Sequence, residues 1–299
     1  MVAAGRNHTV LLRSDGTAVA CGDNDYGQCA VPALVADLAY AQVAAGERHT
    51  VLLRSDGNAV ACGWNRDGRC DIPALSVAGL AYAQVVAGGS HTVLLRSDGT
   101  AVACGGNGDR QCDLPALVAG LSYVEVAAGG NHTVLLRSDG TAVACGWSRD
   151  GQCDLPKLAA DLTYTQVAAG GSVSVLLRSD GAAVACGGNA FGQCDIPGLV
   201  TGLTYTQVAT GGFHTVLLRS DGTVVACGWN IVGQRDLPAL VEDLTYTRVS
   251  AGGRHTVLLR SDGTAVACGV GPRLNHLVDY GAGEPAQWYG SSDGLQLEW

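Results

Sequence analysis

The sequence predicts an all-β fold, a seven-bladed β-propeller of short antiparallel blades with 41 or 42 residues per repeat. Three observations support this prediction. A pattern of strand, glycine-rich turn, strand, Ser-Asp-Gly turn and strand occurs seven times, without interruption, over residues 2–268. The second strand of each repeat is apolar on both faces, so every small sheet needs a neighbour on either side. A closed ring of sheets supplies both neighbours, and propellers typically have four to eight blades.

The first strand of each repeat is predicted to begin at the valine of Val-Ala-Ala-Gly or a close variant. These valines are Val2, Val43, Val85, Val126, Val167, Val208 and Val249. The second strand, His-Thr-Val-Leu-Leu-Arg in most repeats, is β-branched and aliphatic, and it is too short for a helix between glycines. On this strand Val134 and Leu136 are predicted to share one face, with Leu135 on the other.

The turn between the second and third strands reads Ser-Asp-Gly in every repeat. Asp-Gly between two apolar runs is a strong hairpin signal, because glycine adopts positive φ without a steric cost. The turns end at Gly16, Gly57, Gly99, Gly140, Gly181, Gly222 and Gly263. These hairpins, together with the lack of a capping repeat, disfavour a parallel solenoid.

The connection between repeats begins with a loop of the form Cys-Gly-x-Asn-x-x-Gly-Gln-Cys, as in residues 21–29. It continues through a stretch such as residues 156–164, for which two structures stay open: a short outer strand, or a helical turn with Asp154 as N-cap. The repeat pattern decays after Cys268. Residues 269–299 form a divergent tail that is expected either to help close the ring or to be disordered.

The charge and hydropathy patterns exclude some classes of function. With 18 basic and 27 acidic residues the net charge is −9, which disfavours general nucleic-acid binding. No uncharged apolar stretch is long enough to span a membrane. The first repeat directly follows Met1, so no signal peptide is predicted, and the protein is expected to be intracellular, either cytoplasmic or nuclear.

The repeats resemble a known family. Units that read Gly-x-x-His-Thr, Leu-x-x-Asp-Gly and Cys-Gly-x-Asn-x-x-Gly-Gln are similar to the regulator of chromosome condensation repeat over residues 2 to 268. This resemblance implies a seven-bladed β-propeller. The family includes guanine-nucleotide exchange factors for a small nuclear GTPase, modules of large ubiquitin ligases, trafficking proteins and ultraviolet sensors, so fold alone does not decide function.

The chain departs from each specialised branch of that family. The uniform spacing leaves no room for the β-wedge insertion of the exchange factor, and the basic tails of chromatin-binding members are absent. The tryptophan of the photoreceptor motif Gly-Trp-Arg-His-Thr is missing from every repeat, and residues 269–299 do not contain a ligase catalytic domain.

Three residue types recur at fixed positions, and repetition favours a structural role for each of them. Six histidines, which a functional interpretation would make metal or anion ligands, are predicted to bond backbone within their own blade. They are His8, His49, His91, His132, His214 and His255. Paired cysteines such as Cys21 and Cys29 are spaced too widely for a typical zinc site and are expected to be buried thiols rather than disulfides. The arginine before each Ser-Asp-Gly turn is predicted to pair with an aspartate of its own or the next hairpin.

The positions that differ between repeats are the candidates for recognition. They are the pair of residues before each histidine and the loop after each Cys-Gly. The candidate partner-binding residues are Tyr26, Trp64, Arg66, Arg110, Trp147, Arg149, Phe191, Phe213 and Trp229. Tryptophan and tyrosine are typical interface anchors. The alternative for the tryptophans is packing over neighbouring loops.

No nucleophile elbow, phosphate-binding loop or catalytic triad is present in the sequence. We therefore expect no catalytic residue, no cofactor and no metal, and we predict a non-enzymatic scaffold that presents variable loops to a protein partner. The alternatives are a guanine-nucleotide exchange factor, with a small GTPase as partner, and the propeller module of a larger ubiquitin ligase.

Overall fold

The computed structural model describes residues 1–35, 37–240 and 243–270, together with the backbone of residues 287–291 and 294–298. Seven antiparallel sheets, the blades, follow one another along the chain. Their strands are, in blade 1, β1 (Val2–Ala4), β2 (His8–Leu12) and β3 (Ala18–Gly22); in blade 2, β4 (Tyr40–Ala45), β5 (His49–Arg54) and β6 (Ala59–Gly63); in blade 3, β7 (Tyr82–Ala87), β8 (His91–Arg96) and β9 (Ala101–Gly105); in blade 4, β10 (Tyr123–Ala128), β11 (His132–Arg137) and β12 (Ala142–Gly146); in blade 5, β13 (Tyr164–Ala169), β14 (Val173–Arg178) and β15 (Ala183–Gly187); in blade 6, β16 (Tyr205–Thr210), β17 (His214–Arg219) and β18 (Val224–Gly228); and in blade 7, β19 (Tyr246–Ala251), β20 (His255–Arg260) and β21 (Ala265–Gly269), followed by β22 (Gln287–Ser291) and β23 (Gly294–Glu298).

The predicted seven-bladed all-β propeller is confirmed, but most first strands begin earlier than predicted. From blade 2 onward they start at a tyrosine, three residues before the predicted valine. Tyr40 is 5% exposed, and its hydroxyl donates to the Pro32 carbonyl at 2.6 Å, which anchors the strand at this point. A bulge between Tyr40 and Gln42 breaks the period-two pattern that would have shown this extension in the sequence.

The hydrophobic core lies between blades rather than within them. Leu135 packs towards blade 3, against Val93 and Leu95, whereas Val134 and Leu136 pack towards blade 5. The predicted two-sided burial of the second strand is therefore confirmed. Each fully buried leucine of this kind contributes roughly 1.5–3 kcal/mol to stability.

The ring closes directly between blades 7 and 1. The Gly253 amide donates to the Gly5 carbonyl at 3.0 Å, and Val257 shares an apolar cluster with Val2 and Leu11. Strands β22 and β23 extend the seventh sheet beyond β21. The role of the tail in ring closure stays a prediction, and residues 271–286, 292, 293 and 299 lie outside the described residues.

The connection between blades contains neither of the two elements considered for it. Residues 156–163 form no outer strand and no helix, so both expectations, including an N-cap at Asp154, are wrong. The stretch is held instead by the Tyr164 hydroxyl, which donates to the Pro156 carbonyl at 2.6 Å, and it turns at Asp161 with φ of 68°.

Because the strands of a blade run antiparallel, its connections emerge on two opposite faces. The loop face carries the turns between first and second strands and the loops that follow the third strands. The hairpin face carries the Ser-Asp-Gly turns. In blades 1 to 6 the two variable positions therefore share the loop face.

Candidate functional site

The loop face brings variable residues of neighbouring blades into contact. At the first of these places the ring of Tyr26, from the blade 1 loop, meets the edge of Trp64, from the blade 2 loop, with centroids 4.5 Å apart. The Arg48 guanidinium lies 4.9 Å from the Tyr26 ring and 5.9 Å from the Trp64 ring. We call these three residues the blade 1–2 cluster.

A larger group forms across blades 5 to 7. Phe191 lies 5.4 Å from Phe213 and 6.3 Å from Trp229, and Phe213 lies 6.1 Å from Trp229, all measured between ring centroids. The Arg254 guanidinium is 5.7 Å from the Trp229 ring. We call these four residues the blade 5–7 cluster. Aromatic pairs at such distances stabilise each other by about 0.5–1.5 kcal/mol beyond their buried area.

The nine candidate residues thus fall into three groups. Five of them lie in the two clusters. Trp147 and Arg149 contact each other within the blade 4 loop, with the guanidinium 5.7 Å from the ring. Arg66 and Arg110 are exposed in their own loops and take part in neither cluster. Arg48 and Arg254 also belong to these clusters and were not among the nine candidates, although both occupy the variable pair before the histidine.

The loops that carry these side chains are held firmly. In blade 1 the Asn24 side-chain oxygen accepts from the Cys29 amide at 2.8 Å, and the Gln28 side-chain oxygen accepts from the Tyr26 amide at 3.0 Å. Thr50 of blade 2 donates its hydroxyl to the Gln28 carbonyl at 2.7 Å. In blades 1 to 6 the loop is bonded in this way to the next blade, which lowers the entropic cost of using it as a binding surface.

The recurring histidines join neighbouring blades, so the prediction of a backbone bond within the same blade is wrong. In each pair the histidine Nε2 lies 2.9 to 3.0 Å from a threonine or serine hydroxyl of the following blade. Thr50 donates its only hydroxyl proton to a carbonyl, so Nε2 of His8 must carry the proton and donate. Burial lowers the pKa of His8 to about 4 and that of His49 to about 3, so both rings are neutral.

The cysteines and turn arginines also have structural surroundings. All twelve cysteines are free thiols, and burial raises the pKa of Cys62 to about 12, so it is not a reactive thiolate. Among the described residues no group of three or more His, Cys, Asp or Glu side chains is arranged to hold a metal ion. Arg178 pairs with Asp180 at 2.5 Å, in a blade where Ala182 follows the turn. Where a threonine follows the turn, as Thr141 does in blade 4, the threonine hydroxyl donates to the turn aspartate.

The central channel carries a ring of polar side chains on the first strands. In four blades a glutamine side-chain oxygen accepts from a valine amide of the next blade at 2.9 Å; these are Gln42, Gln84, Gln166 and Gln207. Glu125 takes this place in blade 4, 3.0 Å from the Val167 amide, and burial raises its pKa to about 7. The blade 7 position is Arg248, and the cavity here measures about 1220 Å³.

Comparison with known proteins identifies the repeat. The model described as "Regulator of chromosome condensation (RCC1) repeat" matches residues 2–28, 40–69, 82–111, 123–152, 164–193 and 205–234, more than half of the chain. The resemblance inferred from the sequence is thereby confirmed. A search of curated proteins finds no match.

Solved structures share the fold at low sequence identity. The ectodomain of the Arabidopsis thaliana receptor kinase ACR4 is 18% identical with a TM-score of 0.72, over 91% of this chain and 95% of that one. Prp20p from Saccharomyces cerevisiae, whose binding to Gsp1p and histones has been described, is 17% identical with a TM-score of 0.69, over 89% and 81%. Human WBSCR16 is 21% identical with a TM-score of 0.69, over 80% and 78%. Within residues 1–35, 37–240 and 243–270 no helix is long and apolar enough to cross a membrane.

Proposed function

Because the chain belongs to the regulator of chromosome condensation (RCC1) repeat family, we propose that it is a non-enzymatic scaffold whose loop face binds a protein partner. One observation carries this proposal. The pair before each histidine and the loop after each Cys-Gly lie on a single face, where their aromatic rings and arginines contact one another across blade boundaries.

The chemistry of these side chains suits a protein interface. Tryptophan, tyrosine and arginine are enriched among the residues that contribute most to protein binding. Trp147 is 38% exposed and Phe213 43% exposed, so their rings have apolar surface left for a partner to bury. The Ser174 hydroxyl of blade 5 donates to the Gln152 carbonyl at 2.7 Å, so the loop that carries Trp147 is held by the next blade before a partner arrives.

A quantitative affinity purification tests the proposal. The wild-type protein is compared with a variant that combines Trp64→Ala, Trp147→Ala and Trp229→Ala. A matched control changes Val77 and Val118, which are exposed on the connections between blades, to serine. We expect a defined set of proteins to be lost with the tryptophan variant and retained with the control. Equal recovery by all three proteins would remove the loop face as the binding surface.

The exchange-factor alternative has a direct test. The described blades have uniform connections, so the wedge insertion that the family resemblance associates with exchange activity has no counterpart in them. Release of labelled GDP from a panel of small GTPases should be unaffected by the protein. Stimulated release from any of them would replace the scaffold function with exchange. The ligase-module alternative calls for analysis of the surrounding gene.

The cellular location we propose is intracellular, cytoplasmic or nuclear. Imaging of a tagged protein in its own cells tests this part of the proposal. A signal at the cell surface or in the medium would contradict it.

A further inference from the structure

One sector of the loop face is more apolar than the rest. Phe191, Phe213 and Ile231 are 49%, 43% and 81% exposed, and Phe191 and Phe213 are in ring contact with Trp229. Ile231 belongs to the same loop as Trp229. We call these four residues, together with Arg235 and Arg254, the apolar sector. Exposed apolar groups that adjoin one another are typical of interaction sites.

The charges in this sector are positive, in contrast with the acidic chain as a whole. The loop of blade 5, residues 188–194, has no charged residue, and the loop of blade 6, residues 229–235, has only Arg235. Arg235 and Arg254 are both exposed, and Nη1 of Arg235 donates to the Gly228 carbonyl just before its own loop at 2.7 Å, which holds this side chain beside the loop. The aspartates that follow the two loops, Asp195 and Asp236, each accept a hydrogen bond from an asparagine side chain at 2.8 Å.

The neighbouring parts of the loop face differ from this sector. The blade 1 loop contains Asp23 and Asp25, and the blade 4 loop contains Asp150 beside Arg149. With a net charge of −9, the chain has no general attraction for anions. A negatively charged ligand would therefore be drawn to the apolar sector by its local arginines rather than by the protein as a whole.

We propose that the apolar sector binds a short acidic peptide segment of a partner protein, with one aromatic or aliphatic anchor residue on Phe191, Phe213 and Ile231 and flanking carboxylates on Arg235 and Arg254. This inference rests on the proposed scaffold function. Arginine suits the role because its planar guanidinium binds a carboxylate through two parallel hydrogen bonds while it stacks on an aromatic ring. The Arg254 guanidinium already lies over the Trp229 ring, 5.7 Å from its centroid.

A displayed library of random 12-residue peptides tests the inference without a known partner. The library is selected on the immobilised wild-type protein after depletion on a variant that combines Phe213→Ser and Ile231→Ser. We expect the enriched peptides to combine Asp or Glu with Phe, Trp, Leu or Ile. Enrichment of basic or uncharged peptides, or no enrichment, would overturn the inference.

Enriched peptides are then synthesised with a fluorescent label, and their Kd values are measured by polarisation. Phe213→Ser and Arg254→Glu should each weaken binding about tenfold or more. Val77→Ser, on the exposed connection between blades 2 and 3, is the control and should leave the Kd unchanged. Raising the salt concentration should weaken binding, because the arginines are exposed.

A charge swap keeps the test valid if a variant is destabilised. A peptide with lysine in place of its acidic residue should bind Arg254→Glu more tightly than it binds the wild type, and failure of this reversal would contradict the inference. Peptides that are lost with Trp64→Ala and retained with Phe213→Ser would also overturn it, while leaving the loop face as a binding surface. The scaffold function itself is judged by separate results: it fails if the tryptophan variant retains all partners in the affinity purification, or if the protein stimulates GDP release.

Discussion

Val173 on β14 lies across the interface of blades 5 and 6 from Thr210 on β16. At the other six interfaces a histidine stands in the place of Val173 and an alanine in the place of Thr210. A Cβ built on Gly129 would collide with the ring of His132, whereas one built on Gly170 would lie 2.9 Å from Cβ of Thr210. Thr210 therefore fills space that a histidine ring occupies elsewhere. Its hydroxyl is buried and has no hydrogen-bond partner among the described residues.

This pair leads to a prediction of coupling between the two positions. Val173→His alone should destabilise the protein by roughly 1–3 kcal/mol, because the ring is forced against Thr210. Thr210→Ala should offset most of this loss, since the new ring can then donate to Thr215, whose own hydroxyl is already bonded to the Gln193 carbonyl at 2.8 Å. Urea unfolding of both single variants and the double variant measures the coupling. Additive effects would show that the two residues do not share this space.

The neutral histidines predict that the fold is sensitive to mild acid. Their pKa values are lowered to about 3 or 4 in the folded protein, so the unfolded chain binds more protons as the pH falls below about 6.5. Their contribution to stability is therefore complete above pH ~6.5 and is lost progressively down to the folded pKa values. At pH 5.5 each buried imidazole lowers the free energy of unfolding by up to ~1.4 kcal/mol. Summed over these histidines, the loss is a large fraction of a typical unfolding free energy.

Urea titrations at pH 7.5 and pH 5.5 measure this loss. His132→Val should lower stability at pH 7.5, because Ser174 loses its bond from Nε2, but it should also reduce the difference between the two pH values. Constant stability across this range, or a pH dependence unchanged by His132→Val, would contradict the prediction.

Glu125 predicts a pH effect of opposite sign. Burial raises its pKa to about 7, so the folded protein favours the protonated acid, and the stabilisation present at low pH is lost as the pH rises through 7. Glu125→Gln places in blade 4 the residue that four other blades have there, with the same acceptor for the Val167 amide. It should raise the unfolding free energy by about 1–3 kcal/mol at pH 8 and by less than about 1 kcal/mol at pH 5.

The reverse substitution is the control for Glu125. Gln166→Glu, at the equivalent position of blade 5, should destabilise the protein at pH 8 more than at pH 5. If Glu125→Gln stabilises equally at both pH values, its carboxylate is not the cause.

Arg110 predicts a strained loop. Its φ is 65°, whereas five other blades have glycine at this place, with φ between 76° and 82°. A left-handed backbone conformation destabilises a residue with a side chain by roughly 1–2 kcal/mol. Glycine removes this strain, but its more flexible unfolded state offsets part of the gain in stability. Arg110→Gly should therefore stabilise the fold by about 0.5–1 kcal/mol.

Thermal and urea unfolding of Arg110→Gly measure the strain, with Arg66→Ala as the exposed-arginine control. Destabilisation by Arg110→Gly would show that the arginine side chain makes a stabilising contact. Strained residues persist most often at functional sites, so the same variant should also be included in the affinity purification.

Much of the fold could be predicted because its causes are local. The Asp-Gly turns, the length of the apolar runs and the two-sided burial of Val134, Leu135 and Leu136 all follow from neighbours in the sequence. The early start of the strands at Tyr40 and its equivalents could not be predicted, because a bulge interrupts the alternation there.

The candidate site was predicted in part. Repetition distinguishes the variable positions from the frame, and in blades 1 to 6 both kinds of variable position lie on the loop face. The contacts between them could not be predicted. Tyr26 and Trp64 are in contact although they are 38 positions apart in the sequence, and no local pattern shows that the loop of one blade contacts the loop of the next.

The sequence by itself determined the number of blades, their hairpins and the residues that differ between them, because turn chemistry and strand periodicity act over a few residues. Only the tertiary structure decided the partners across blade boundaries: His8 with Thr50, Glu125 with the Val167 amide, and Arg254 with Trp229. These contacts join residues 25 to 42 positions apart, and they form only when the closed ring presses each blade against the next.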